Sequence, residues 1–229
     1  MSAFLKINTG TSLSAHQGQS VSAPPSAISF RVLSDVEREA SLRASMAHWQ
    51  RDDDVWVFGY ASLIWRPGFD FSERRDGLLW GYHRALCLWS RINRGTPERP
   101  GLVFGLDRGG SCRGVVFRIT ASQVPATMEA LWRREMPSGA YLPRWLSCRT
   151  PTGRVNALAF TMNRATDAYV RNLPPERLVQ VVHNAHGCNG PCLEYVIETA
   201  QALQKFNICD QRLQKIIEHL HCPILTGTA

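Results

Sequence analysis

The stretch Val57-Phe58-Gly59-Tyr60-Ala61-Ser62-Leu63-Ile64-Trp65-Arg66-Pro67-Gly68-Phe69 decides how this chain is read. Asp54-Val55-Trp56-Val57-Phe58 is a strand-like run that enters it. The run breaks at Gly59-Tyr60-Ala61-Ser62, the apolar pattern resumes, and Pro67-Gly68 stops it. A strand that feeds a small-residue turn with one Tyr and one Ser has two readings. One is ordinary punctuation; the other is a backbone cradle for a charged ligand, which small residues let approach.

Downstream of this stretch the pattern is that of short strands. Leu78–Trp89 alternates loosely. Leu102, Phe104 and Leu106 alternate, as do Val115, Phe117 and Ile119, with Gly109-Gly110 between them as an expected hairpin turn. Tyr141–Arg149 and Arg154–Met162 form a second candidate hairpin around Thr152-Gly153. The C-terminal third shifts to helical spacing. Leu178, Val181 and Val182, then Leu193, Val196 and Ile197, then Leu213, Ile216 and Ile217 make three apolar stripes. The expected fold class is α+β: a mostly antiparallel sheet or small barrel with flanking and C-terminal helices.

Upstream, residues 1–30 are rich in Ser, Ala, Gly and Gln and read as a poorly ordered extension. Ser34 and Glu37 have capping-box spacing and open a helix expected to reach about Trp49, within an N-terminal segment 31–50. Residues 51–222 then form a single domain, and 223–229 a tail.

The chain has 229 residues, 44% of them apolar and 20% charged, ordinary values for a globular domain. No run of 18 apolar residues is present, so no membrane-spanning helix and no membrane partner are expected. The N-terminus lacks the apolar stretch of a signal peptide. The cysteine count is odd, at seven, and the spacing scattered, as for reduced thiols in a cytoplasmic protein. Net charge is +7. No block of five like charges occurs, which argues against a nucleic-acid partner and leaves small anions as the natural target.

The most informative helix runs from Ser122, the expected N-cap, to about Met136. Val124, Met128, Leu131 and Trp132 define its buried face. Glu135, four residues after Leu131, falls on that apolar stripe and in the last turn, where the helix dipole disfavours an anion by about 0.3–1 kcal/mol. One reading is a salt bridge to an Arg such as Arg134 or Arg144. The other is a general base, its pKa raised toward neutrality by burial.

Phe58–Pro67 resembles the signature loop of ChaC-like γ-glutamylcyclotransferases, which usually reads Tyr-Gly-Ser-Leu. Three further blocks resemble the same family in order. They are Arg94-Gly95-Thr96-Pro97 with Pro100-Gly101, Leu131–Met136 with Gly139-Ala140-Tyr141, and Gly187–Gly190 with Leu193-Glu194-Tyr195. The resemblance implies an antiparallel barrel with no metal and no cofactor. It implies glutathione as substrate, cleaved to 5-oxoproline and cysteinylglycine. It maps the catalytic carboxylate onto Glu135 and the substrate loop onto Tyr60, Ala61, Ser62 and Leu63. Tyr141 and Tyr195 match aromatics near the substrate, and Arg94 joins Arg66 and Arg91 as a candidate for binding a substrate carboxylate. Ala61 departs from the usual Gly; a negative φ there, with the methyl clear of the cradle, is expected. A cyclotransferase for other γ-glutamyl amines, or a non-enzymatic binding or cation-transport regulatory protein, are the alternative functions. Oligomeric state is not written in the sequence.

Competing clusters carry less. Ser62 with His83 as its base would make a nucleophile pair, but a turn Ser bonding backbone or substrate suits the context better. His183, His186, Cys188 and Cys192 are zinc-type ligands packed into ten residues, where separated ligand pairs are the norm, and a tight helix–helix turn reads equally well. Trp80, Tyr82, Trp89 and Trp132 could stack nucleic acid, but aromatics in strands are expected to be core.

Overall fold

The computed structural model describes residues 31–221; the expectations for 1–30 and 223–229 lie outside it. Five strands, β1 (Val55–Gly59), β2 (Glu73–Ser90), β3 (Gly101–Ile119), β4 (Tyr141–Thr150) and β5 (Gly153–Met162), close into a barrel in the order β1-β3-β2-β4-β5. The long pairings are antiparallel. The barrel shuts by a short parallel seam, Trp56 beside Ala157 and Val57 beside Leu158.

The period of two in β1 sorts its side chains between two cores. Val55 and Val57 face a cluster with Met128, Leu131 and Trp132 of helix α3 (Val124–Glu135), while Phe58 faces the larger cluster with Leu79, Phe104 and Phe117. Helix α1 (Asp35–Ser45) has the expected capping box between Ser34 and Glu37. It leans on the α3 side, where Trp132 Nε1 donates to Ser41 and Trp145 Nε1 to the Ser45 carbonyl. After the one-turn helix α2 (Ser62–Trp65), the remaining helices are α4 (Pro175–Asn184), α5 (Cys192–Lys205) and α6 (Gln211–His221). A two-stranded ribbon, β6 (His186–Gly187) and β7 (Gly190–Pro191), precedes α5. No helix among the described residues is long and apolar enough to cross a membrane.

Four expectations are corrected. Gly109-Gly110 is not a hairpin turn: both residues have positive φ, but they oppose the single Gly81 in a bulge, with Trp80 paired to Ser111 and Tyr82 to Arg108. The two alternating runs of 102–119 therefore lie on one bent strand, because two residues against one kink a ladder without reversing it. Helix α1 ends at Ser45, not near Trp49; turns carry the chain to the 49 position. Ser122 does not cap α3: it sits in a 3₁₀ turn over Ala121–Gln123, and Pro125 enters the first α-turn with no side-chain cap. Trp89 and Trp132 are core and Tyr82 is partly buried against it, but Trp80, beside the bulge, is 63% exposed.

Candidate functional site

β1 delivers the chain to the site at Gly59, and the next residue faces inward. Tyr60 is buried, and its hydroxyl donates to the Phe160 carbonyl at 3.0 Å. Its own carbonyl accepts from Nε of Arg84, a buried guanidinium that also donates to the Arg113 carbonyl at 2.7 Å and pairs with Asp210. Two anchors from opposite sides of the barrel thus fix Tyr60. Ala61 follows with φ −141° and ψ −117°, on the negative side as expected. It is the N-cap of α2 and offers no side-chain acceptor; the Ile64 amide bonds the Ala61 carbonyl at 2.8 Å, and the Ser62 and Leu63 amides are left uncapped.

Arg134, on the last turn of α3, ties this loop down. Its Nη1 donates to the carbonyls of Arg66 (2.6 Å) and Pro67 (3.0 Å), and its Nη2 to Ser62 Oγ (3.1 Å). Gly68, at φ 75°, makes the turn that presents those carbonyls. Arg134 was legible only as a neighbour of Glu135; its role as a staple was not. Arg84 gave no sequence signal, because one Arg in a loosely alternating strand reads as surface.

Glu135 closes α3 on the face that its spacing indicated. Its side chain is 14% exposed, and Oε1 is fully buried with no hydrogen-bond partner among the described residues. Arg134 Nε lies 3.0 Å away, but its N–H is not aimed at the oxygen. Both readings of Glu135 therefore meet at one position: an ion-pair distance without the hydrogen bond that would satisfy it. Burial raises the carboxyl pKa, and the Arg134 charge pulls against that rise.

Glu135 borders a void of about 20 Å³ together with Tyr60, Ala61, Ser62 and Leu63 on one side and Tyr141 and Tyr195 on the other. Tyr141 donates to the Phe104 carbonyl (3.0 Å), and Tyr195 accepts from the Phe104 amide (3.1 Å). Burial pushes all three phenols above their ordinary range, so they stand as neutral groups. Ser62, Glu135, Tyr141 and Tyr195 also line a cleft of about 580 Å³, where Trp65, Arg66, Arg91 and Arg94 make much of the remaining wall. Of the sequence-predicted site residues, the three carboxylate-binding candidates Arg66, Arg91 and Arg94 stand apart from the small void, in the wider cleft; Arg94 is tied down there. Its Nη1 donates to the Pro191 carbonyl at 3.1 Å, and its guanidinium faces Glu194 and Glu198 at 3.5 Å each.

The competing clusters take ordinary roles. His83 Nδ1 bonds the Gly109 carbonyl at the bulge, while Ser62 Oγ accepts from Arg134. His183 Nε2 meets the Leu220 carbonyl, and the buried Cys192 thiol donates to the Leu102 carbonyl. Among the described residues no group of three His, Cys, Asp or Glu side chains is placed to hold a metal ion.

Comparison with known proteins agrees with this architecture. The chain is 35% identical over 182 residues, 79% of its length and 79% of the relative's, to an Escherichia coli (strain K12) protein named glutathione-specific gamma-glutamylcyclotransferase. It is 30% identical over 171 residues to the Homo sapiens protein named glutathione-specific gamma-glutamylcyclotransferase 1, covering 72% of this chain and 75% of that one. Its fold matches the crystal structure of the yeast glutathione-specific γ-glutamyl cyclotransferase with a TM-score of 0.68 at 20% identity, over 73% of this chain and 96% of the other. The model of the family described as ChaC-like protein matches residues 55–222, and the chain belongs to that family.

Proposed function

We propose that this protein is a γ-glutamylcyclotransferase that cleaves glutathione to 5-oxoproline and cysteinylglycine, with Glu135 as general acid and base. The observation that carries the reading is the buried Oε1 of Glu135, which has an ion-pair neighbour but no hydrogen-bond partner among the described residues and belongs to the carboxylate that lines one small void with Ala61 and Ser62. The names of the relatives supply the substrate.

The chemistry asks little of the protein. The α-amine of the γ-glutamyl group attacks its own γ-carbonyl carbon, forming a five-membered ring. The nucleophile is already tethered, so holding one conformer removes much of the entropic barrier. The amine arrives as an ammonium, and Glu135 takes its proton. The C–N bond to the cysteinyl nitrogen then breaks, Glu135 returns the proton to that leaving nitrogen, and the surplus proton on the ring nitrogen passes by the same carboxylate to the departing amine, which leaves as an ammonium beside the neutral lactam. A carboxyl with a raised pKa suits these transfers. Negative charge that develops on the carbonyl oxygen meets N–H groups at the start of α2 and the neutral phenol of Tyr195, whose oxygen accepts from the Phe104 amide and whose own hydrogen is not committed to a backbone carbonyl. Arg134 sets the distance between turn and base, since it bonds the first and adjoins the second.

The six described cysteines are free thiols, a state that a reducing cytoplasm maintains, and we assign the protein to that compartment. The deciding experiment is incubation of purified protein with glutathione and with other γ-glutamyl compounds, measuring 5-oxoproline. Turnover of glutathione in preference to the others supports the reading; no 5-oxoproline from any of them overturns it.

A further inference from the structure

The cleft is far larger than ring closure needs, and more cationic. Five arginines line it. Arg134 is spent on the loop, Arg133 pairs with Glu129 at 2.9 Å, Arg94 is committed to Pro191, Glu194 and Glu198, and Arg66 is exposed. Arg91 differs. It is 7% exposed, and its Nη2 is wholly buried with no hydrogen-bond partner among the described residues. A buried guanidinium N–H without an acceptor is costly, and an anionic ligand is what would relieve it.

The backbone around Arg91 is fixed. The next two carbonyls, Ile92 and Asn93, accept the amides of Cys188 and Asn189 at 2.9 Å each. Gly187 sits so close that an added Cβ would lie 2.4 Å from the Ile92 carbonyl oxygen. Ser90 Oγ accepts from the Arg94 amide at 2.9 Å. The loop is therefore zipped to the β6–β7 ribbon, and Arg91 is held before any ligand arrives.

We infer that Arg91 sets specificity by pairing with the C-terminal carboxylate of the leaving dipeptide. This rests on the cyclotransferase reading. With the γ-glutamyl half beside Glu135 and the uncapped amides of α2, the far carboxylate is the anion left for the wider cleft.

The test compares kcat/KM for glutathione and for glutathione whose glycine carboxylate is an amide. The wild type should favour glutathione by about 10–100-fold, the scale of one charge-assisted hydrogen-bond pair. Arg91→Gln should bring that ratio to about one, chiefly through loss of glutathione turnover. Arg91→Lys, which keeps the charge but not the planar fork, should retain an intermediate ratio and serves if Arg91→Gln does not fold. A wild type that turns over both substrates equally, or variants that lose both in proportion, would overturn the assignment but leave the cyclotransferase reading intact. No turnover of either substrate overturns both.

Discussion

Arg134 and Glu135 are chain neighbours whose charged groups lie 3.0 Å apart, yet the guanidinium spends its aligned N–H bonds on Ser62, Arg66 and Pro67. Attraction without a hydrogen bond leaves the carboxylate able to accept a proton from something else. The same arginine that holds the turn thus tempers the base without occupying it.

Replacing Glu135 by Gln removes the proton carrier and keeps the shape. Production of 5-oxoproline should fall by about 10²–10⁴-fold, the usual worth of general acid–base catalysis. Circular dichroism should remain that of the wild type. Full activity in E135Q would remove Glu135 from the mechanism.

The same substitution should raise stability at neutral pH. The folded carboxyl has a pKa above its unfolded value because burial disfavours the charge. Both states are protonated at low pH, so Glu135 costs nothing there; the cost grows as pH rises through the folded pKa. Thermal midpoints of wild type and E135Q should converge below about pH 4 and separate in favour of E135Q at pH 7.

The acid limb of kcat/KM reports the free enzyme's base. In the wild type it should lie above the ordinary carboxyl range. Arg134→Gln removes the charge that holds the Glu135 pKa down, so the limb should move to higher pH. The loop loses its staple at the same time, and the plateau should drop by up to about 10²-fold, as for an ångström-scale misplacement. Arg134→Lys should leave the limb near the wild-type position, with a lowered plateau. A pH profile unchanged in R134Q would separate Arg134 from the base.

Ala61→Gly should change kcat/KM by less than about threefold, because φ at 61 is negative and Gly gains nothing there. It should cost about 0.5–1 kcal/mol of stability through added freedom of the unfolded chain. A large rise in activity would mean that the methyl obstructs the cradle.

Gly187→Ala should be more damaging than its size suggests. The new Cβ would sit 2.4 Å from the Ile92 carbonyl and 2.5 Å from the Arg94 amide, both backbone. The ribbon and the Arg91 loop must part, so a loss of about 1–3 kcal/mol in unfolding free energy is expected. A raised KM for glutathione should accompany it.

What the sequence made legible follows from which interactions are local. Glu135 was visible because a carboxylate on the stripe of Met128, Leu131 and Trp132 violates a helical period. The cap at Ser34 was visible because its partner Glu37 lies three residues away. Gly109 and Gly110 were identified as special but misassigned. Positive φ is a property of the residue, whereas turn or bulge depends on Gly81 opposite, which local pattern does not reveal. Arg84 and Arg134 were illegible as anchors for the same reason: their partners at Tyr60 and Ser62 are remote in sequence. Trp80 misled because aromatic content marks strands without saying which face is covered.

The bond from Tyr60 to the Phe160 carbonyl joins residues 100 apart in sequence, and it lies at the parallel seam where β1 meets β5. The β2–β3 and β4–β5 ladders can form from nearer neighbours, but this seam needs the ends of the barrel to find each other, a contact of high order and slow formation. The substrate turn is anchored through that closure as well as through Arg84 and Arg134. On refolding, recovered catalysis would therefore require the seam to close as well as the hairpins to form.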